Sequence, residues 1–179
     1  MARIRFVGLA VLGLAFLSAS LAGCSSQPPE PGRYYKKAEG FSIRFPAEWE
    51  QKENVMGSVV IALSPAEGAD DAFRENVNVV VEALPSPMTL DEYFNLSMAN
   101  LRKLLTEARQ PEIADARIGG EAAKQVVYQT TMGQIRVKSM LYVAVKGQRG
   151  YAVTCSATPD SFDAYKARFE EIAGTFRFE

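Results

Sequence analysis

The sequence contains no histidine, only two cysteines and a single tryptophan. Without imidazole the chain has no Ser-His-Asp or Cys-His nucleophile, no histidine-ligated zinc and no side chain that ordinarily titrates near neutrality. Much common enzyme chemistry is excluded. A dominant charge sign is missing as well: 20 Lys+Arg face 21 Asp+Glu, so there is no concentrated positive footprint for capturing nucleic acid. The apolar run from Phe6 to Leu17 falls short of the roughly 20 residues that a membrane-spanning helix requires. What remains is 179 residues, 47% hydrophobic, the size of one domain. A chain of this length buries about 70% of its unfolded surface and needs no metal or disulfide framework.

The amino terminus carries a targeting pattern. Arg3 and Arg5 precede the apolar run, which ends in Leu21-Ala22-Gly23-Cys24. Positive residues, a short apolar core and small residues before the cleavage point make a secretory signal. The cysteine directly after Gly23 matches a bacterial lipobox. Residues 1–23 are therefore read as a signal peptide and Cys24 as the lipidation site. A diacylglyceryl group and an acylated new amino terminus would supply the multiple chains that stable anchoring needs. The expected protein is exported and lipid-anchored to the cell membrane. With Ser25 after the cysteine, it would sit on an outer membrane, facing the periplasm, in a Gram-negative cell. Residues 24–32 hold this cysteine and the proline-rich SSQPPEPG tether, and the folded domain is placed at 33–179.

Within that domain Phe41, Ile43 and Phe45 alternate with polar residues up to Pro46, the pattern of a half-buried strand. Val55 to Leu63 and Asn76 to Glu82 predict two further strands around an acidic loop. Glu67, Asp70 and Asp71 in this loop lack the spacing of a calcium-binding loop. Thr89-Leu90-Asp91-Glu92 has capping-box spacing before an apolar stripe reaching Ala108, which predicts a helix ended by Pro111. Gly119-Gly120 reads as a bend, since it lacks the pattern of a phosphate-binding loop. Thr131-Met132-Gly133-Gln134 and Lys146-Gly147-Gln148-Arg149-Gly150 mark reversals in an antiparallel meander that runs to Ala157. Thr158 followed by Pro159 predicts the cap and first position of a second helix, and Thr175 to Phe178 a short last strand. Cys155 lies in a predicted strand and is expected to be a small core residue.

Three separated pieces carry a family resemblance. Gly40-Phe41-Ser42-Ile43-Arg44-Phe45-Pro46-Ala47-Glu48-Trp49, the helix start Thr89-Leu90-Asp91-Glu92-Tyr93, and Tyr165-Lys166-Ala167-Arg168-Phe169-Glu170-Glu171-Ile172 before Phe176 together resemble the PsbP-like and DcrB-like proteins. The resemblance spans 33–179. It implies an α/β fold of the Mog1/PsbP-like type, an antiparallel β-sheet flanked by helices on both sides as an α/β/α sandwich. It also implies an assembly or accessory protein of the envelope. The histidines implicated in some photosynthetic members have no counterpart here, so manganese-related activity is not carried over.

The leading expectation is a non-enzymatic, membrane-anchored binding or assembly module, with no cofactor, no metal and no nucleic acid. Its partners would be membrane lipid through acylated Cys24 and an envelope protein or membrane complex. Arg136 and Lys138 share one strand face, and Lys146 and Arg149 flank the next turn; these four are the candidate partner-binding residues. The alternative is a carrier or sensor of a small apolar ligand, with Trp49, Tyr93 and Phe94 as the candidate pocket. Anchoring has a direct test. Cys24→Ala should move the protein from the membrane to the soluble fraction of fractionated cells; retention of the variant in the membrane would contradict the lipobox reading.

Overall fold

A computed structural model describes residues 30–105 and 110–179. Cys24 and most of the proline-rich tether lie outside the described residues, as does Ala108. The described chain forms ten strands and two α-helices, with a single 3-10 turn at Lys37–Glu39. In order these are β1 (Arg33–Lys36), β2 (Phe41–Arg44), β3 (Glu50–Val55), β4 (Ser58–Leu63), β5 (Asn76–Ala83), α1 (Leu90–Leu104), β6 (Glu112–Ile118), β7 (Glu121–Met132), β8 (Ile135–Lys146), β9 (Arg149–Ala157), α2 (Phe162–Gly174) and β10 (Arg177–Phe178).

The strands form two antiparallel sheets rather than one. Seven strands run in the order β3-β4-β5-β9-β8-β7-β6, and β1, β2 and β10 make a separate three-stranded sheet. The meander β7-β8-β9 follows from alternating apolar residues joined by glycine-bearing turns, and it occupies the middle and one side of the large sheet. Both edge strands, β3 and β6, escape the sequence pattern because they have little apolar alternation to show. β3 is exposed along nearly its whole length and carries Glu50, Lys52 and Glu53. Such charges blunt an open sheet edge against pairing with another chain.

Alternate residues of β8 serve different cores. Met140, Tyr142 and Ala144 join a cluster with Phe162, Phe169 and Ile172 of α2. Leu141 and Val143 join another with Tyr93, Phe94, Met98 and Leu101 of α1. Side chains along a strand alternate between its faces, so a single twelve-residue strand supplies both clusters. Cys155 is fully buried in the first cluster, where burial pushes its thiol pKa up and keeps it neutral.

The expected capping box is present. Thr89 Oγ1 accepts from the Glu92 amide, and Glu92 accepts from the Thr89 amide at 2.8 Å. Helix α2, however, begins at Phe162 rather than at Pro159. Thr158 Oγ1 accepts from the Ser161 amide at 3.3 Å, closing a turn through Pro159 and Asp160 before the helix. The Ser161 hydroxyl donates to Glu75 at 2.7 Å, so the carboxylate of this 4%-exposed residue sits at the helix amino terminus. The other end of α2 is closed from a distance: buried Arg33 donates to the Thr175 carbonyl at 2.6 Å while its Nε pairs with Glu30 at 2.7 Å.

The small sheet is joined to the large one by aromatic rings. Phe41 and Phe176 stack with centroids 5.5 Å apart, and Tyr151 of β9 meets Phe176 and Phe178 edge-on at 5.9 and 5.0 Å. Truncating a fully buried aromatic forfeits transfer energy and leaves a cavity. In denaturant titration Phe176→Ala should cost about 3–5 kcal/mol, whereas Thr89→Ala should cost only about 1 kcal/mol. Equal losses would show that the aromatic joint is not the dominant contact of the two.

Candidate functional site

The four basic candidates separate into two pairs. Arg136 and Lys138 lie near the start of β8, and Lys146 ends it. Eight residues of extended strand from Lys138 to Lys146 span about 26 Å. The single basic patch expected from the sequence is therefore divided, because a shared strand face sets direction and not proximity. Lys138 pairs with Asp163 at 3.2 Å and lies 4.4 Å from the Phe162 ring centre, next to the start of α2. Lys146 and Arg149 face each other across the Gly147-Gln148 turn as register partners.

The apolar trio is also divided. Trp49 is buried in the cluster that contains α2, whereas Tyr93 and Phe94 are buried in the cluster of α1. Tyr93 packs so closely on Gly150 that a Cβ there would lie 2.2 Å from its ring. Its hydroxyl donates to Glu82 at 2.8 Å, and burial together with that carboxylate pushes the phenol pKa up. These three residues fill core and share no pocket.

A groove lies where Lys146 and Arg149 are. It has a volume of ≈ 720 Å³, within the range of ordinary ligand sites. Three reversals converge on it: the β1–β2 connection at Gly40, the β6–β7 turn at Gly119, and the β8–β9 turn. Its aromatic wall is Tyr151 and Phe178. Gly119, at φ +56, lies against Phe178 so tightly that a Cβ would sit 2.7 Å from the ring. Gly40, at φ +70, lets the Arg149 guanidinium come within 3.0 Å of where its Cβ would be. Glycine is required at both positions by backbone conformation and by space.

The charges in the groove are not equivalent. Lys146 forms an ion pair with Glu121, and this ammonium holds the Glu121 carboxyl below the usual carboxylate range. The side chain of Glu179 accepts a hydrogen bond from Ser42. The Tyr151 hydroxyl donates to the Glu39 carbonyl at 3.0 Å. Arg149 is half-buried, and its guanidinium has no hydrogen-bond or ion-pair partner among the described residues. A second groove of ≈ 570 Å³ lies between the start of α1 and β6–β7. Its Lys124 is already neutralised by Asp115 at 2.7 Å and Asp91 at 3.6 Å. Only the first groove offers a free charged fork.

The Lys146–Arg149 pairing was legible in the turn sequence. Gly40, Tyr151 and Phe178 were not, because nothing local places residues from both ends of the domain beside that turn. Gly119→Ala should destabilise the fold by about 1–3 kcal/mol through backbone strain and displacement of Phe178. Gly120→Ala removes a glycine that also has positive φ but has nothing within 4 Å of its Cβ position, so it isolates the steric part. Equal melting temperatures for the two variants would contradict close packing of Phe178 on the turn.

Solved structures with this architecture come from several bacteria. Cyanobacterial PsbP (CyanoP) of Synechocystis is similar at 19% identity and TM-score 0.58, with 82% of this chain and 91% of that one covered. LpqN of Mycobacterium tuberculosis, described as involved in cell envelope biogenesis, matches at 13% identity and TM-score 0.58, covering 83% and 85%. A Pseudomonas aeruginosa protein described as a putative regulator of unknown function matches at 18% identity and TM-score 0.56, covering 75% and 88%. At these identities the likeness concerns the fold. No curated protein matches the sequence. The PsbP family model matches residues 31–178, and the chain belongs to the PsbP family.

Proposed function

We propose that this PsbP-family protein is a lipid-anchored accessory module of the cell envelope that binds a protein partner through the Lys146–Arg149 groove and catalyses no reaction. The observation that carries the reading is the half-buried Arg149 guanidinium, unpaired among the described residues, in the ≈ 720 Å³ groove. Partial burial removes water from a charge, and a protein normally offsets that loss with a partner. Supplying the partner from another chain makes the charge a recognition element.

Several observations support the rest of the reading. The lipobox at Cys24 gives the anchor, and the tether gives the domain reach from the membrane surface. Anchoring raises the local concentration of the domain near other envelope proteins without any added contact. The similarity to LpqN, described as involved in cell envelope biogenesis, agrees with an envelope location. The apolar-carrier alternative gains no support, since Trp49, Tyr93 and Phe94 are packed into two different cores.

Proximity crosslinking in intact cells tests this function. A partner captured by the wild type should be lost, by about tenfold or more, when Lys146 and Arg149 are both changed to Glu. The same change at Arg136 and Lys138, at the far end of β8, should leave capture largely intact. Cys24→Ala should reduce capture in cells while a purified soluble form still binds the identified partner. Equal loss from both charge-reversed pairs would point to nonspecific electrostatics and overturn the assignment to the groove.

A further inference from the structure

We infer that the groove recognises a single carboxylate of a partner polypeptide, taken by the free guanidinium fork of Arg149. This rests on the proposed binding role and names the chemistry of its contact. A guanidinium presents donors in a planar fork that matches a carboxylate in two parallel hydrogen bonds. Arg149 is positioned for such use. Its guanidinium lies over the bare Cα of Gly40, and Arg149 lines the groove beside the Gly147-Gln148 turn.

The surrounding charges decide which anion fits. Lys146 and Arg149 share the lining with Glu121 and Glu179, so these four side chains carry no surplus positive charge, although only Lys146 is in an ion pair there. A phosphate dianion would meet two carboxylates and one free cation. A carboxylate monoanion needs only that one cation. Lys146 is committed to Glu121, which leaves it as part of the wall rather than as a second anion ligand. The Phe178 and Tyr151 rings beside the fork offer apolar surface to the methylenes of a glutamate side chain or to its neighbours. A polypeptide acid therefore suits the site better than a lipid headgroup, although both carry anionic oxygen.

Nuclear magnetic resonance on the full chain in neutral detergent micelles tests this. The probes are an N-acetyl, C-amide Gly-Glu-Gly peptide, its Gly-Gln-Gly counterpart and inorganic phosphate, with the Arg149 Nε–H and the Gly40 and Gly147 amides as reporters. The glutamate peptide should shift these signals saturably in the millimolar range, and the glutamine peptide and phosphate should not. Arg149→Lys should weaken the response about tenfold, because an ammonium lacks the fork. Arg149→Met should abolish it, with the remaining amide spectrum reporting that the variant is folded. Arg136→Met should leave it unchanged.

A response to phosphate, or to phosphatidylglycerol added to the micelles, equal to that of the glutamate peptide would overturn the carboxylate assignment in favour of a lipid or free phosphate. So would no response of the wild type to any probe. Peptide binding without a crosslinked protein in cells would leave the carboxylate site standing and defeat the accessory role. Crosslinking that survives Arg149→Lys, with no peptide response, would do the reverse.

Discussion

The aromatic joint of Phe41, Tyr151, Phe176 and Phe178 is the contact on which the rest of the structure depends. It ties a three-stranded sheet built from the two ends of the domain to the seven-stranded sheet between them. Rings stacked and edge-on at these distances contribute beyond the area they bury. The same rings then set the wall of the groove. Phe178 holds the β6–β7 turn through Gly119, and Tyr151 holds the β1–β2 connection through the Glu39 carbonyl. Stability and site geometry thus share one set of side chains.

Long-range polar contacts lock what the rings bring together. Arg33 closes the end of α2 from β1, and Tyr34 and Lys36 both reach Glu53 of β3, at 2.6 and 2.7 Å. Arg44 and Arg177 converge with Arg33 on Glu30. Most charges near the small sheet are therefore engaged within the domain. Exposed ion pairs of this kind contribute little individually, and their larger effect is to fix orientation. Against that background the unpaired fork of Arg149 stands apart, and its free donors give the groove a chemical preference that its shape alone does not.

Much of the fold was readable in the sequence where a local rule applied. Thr89 and Glu92 announced the start of α1, and the glycine-bearing turns announced the β7-β8-β9 meander. The edge strands β3 and β6 were not readable, because an edge strand needs little apolar alternation and these are largely polar and exposed. The start of α2 was misplaced because Thr158 caps a preceding turn, and the deciding partner of Ser161 is Glu75, 86 residues away.

The sequence by itself determined that chemistry depending on histidine is absent, and through its family resemblance it pointed to an α/β fold of the PsbP kind. The first follows from residue inventory, the second from three separated segments that resemble one family. Tertiary structure decided that four basic residues are two pairs and that three aromatic residues belong to two cores. It also decided that, among the described residues, the half-buried Arg149 guanidinium is left without a side-chain partner. Periodicity assigns a side chain to a face, but distance along a strand and pairing across a sheet are set by long-range register, which no local pattern encodes.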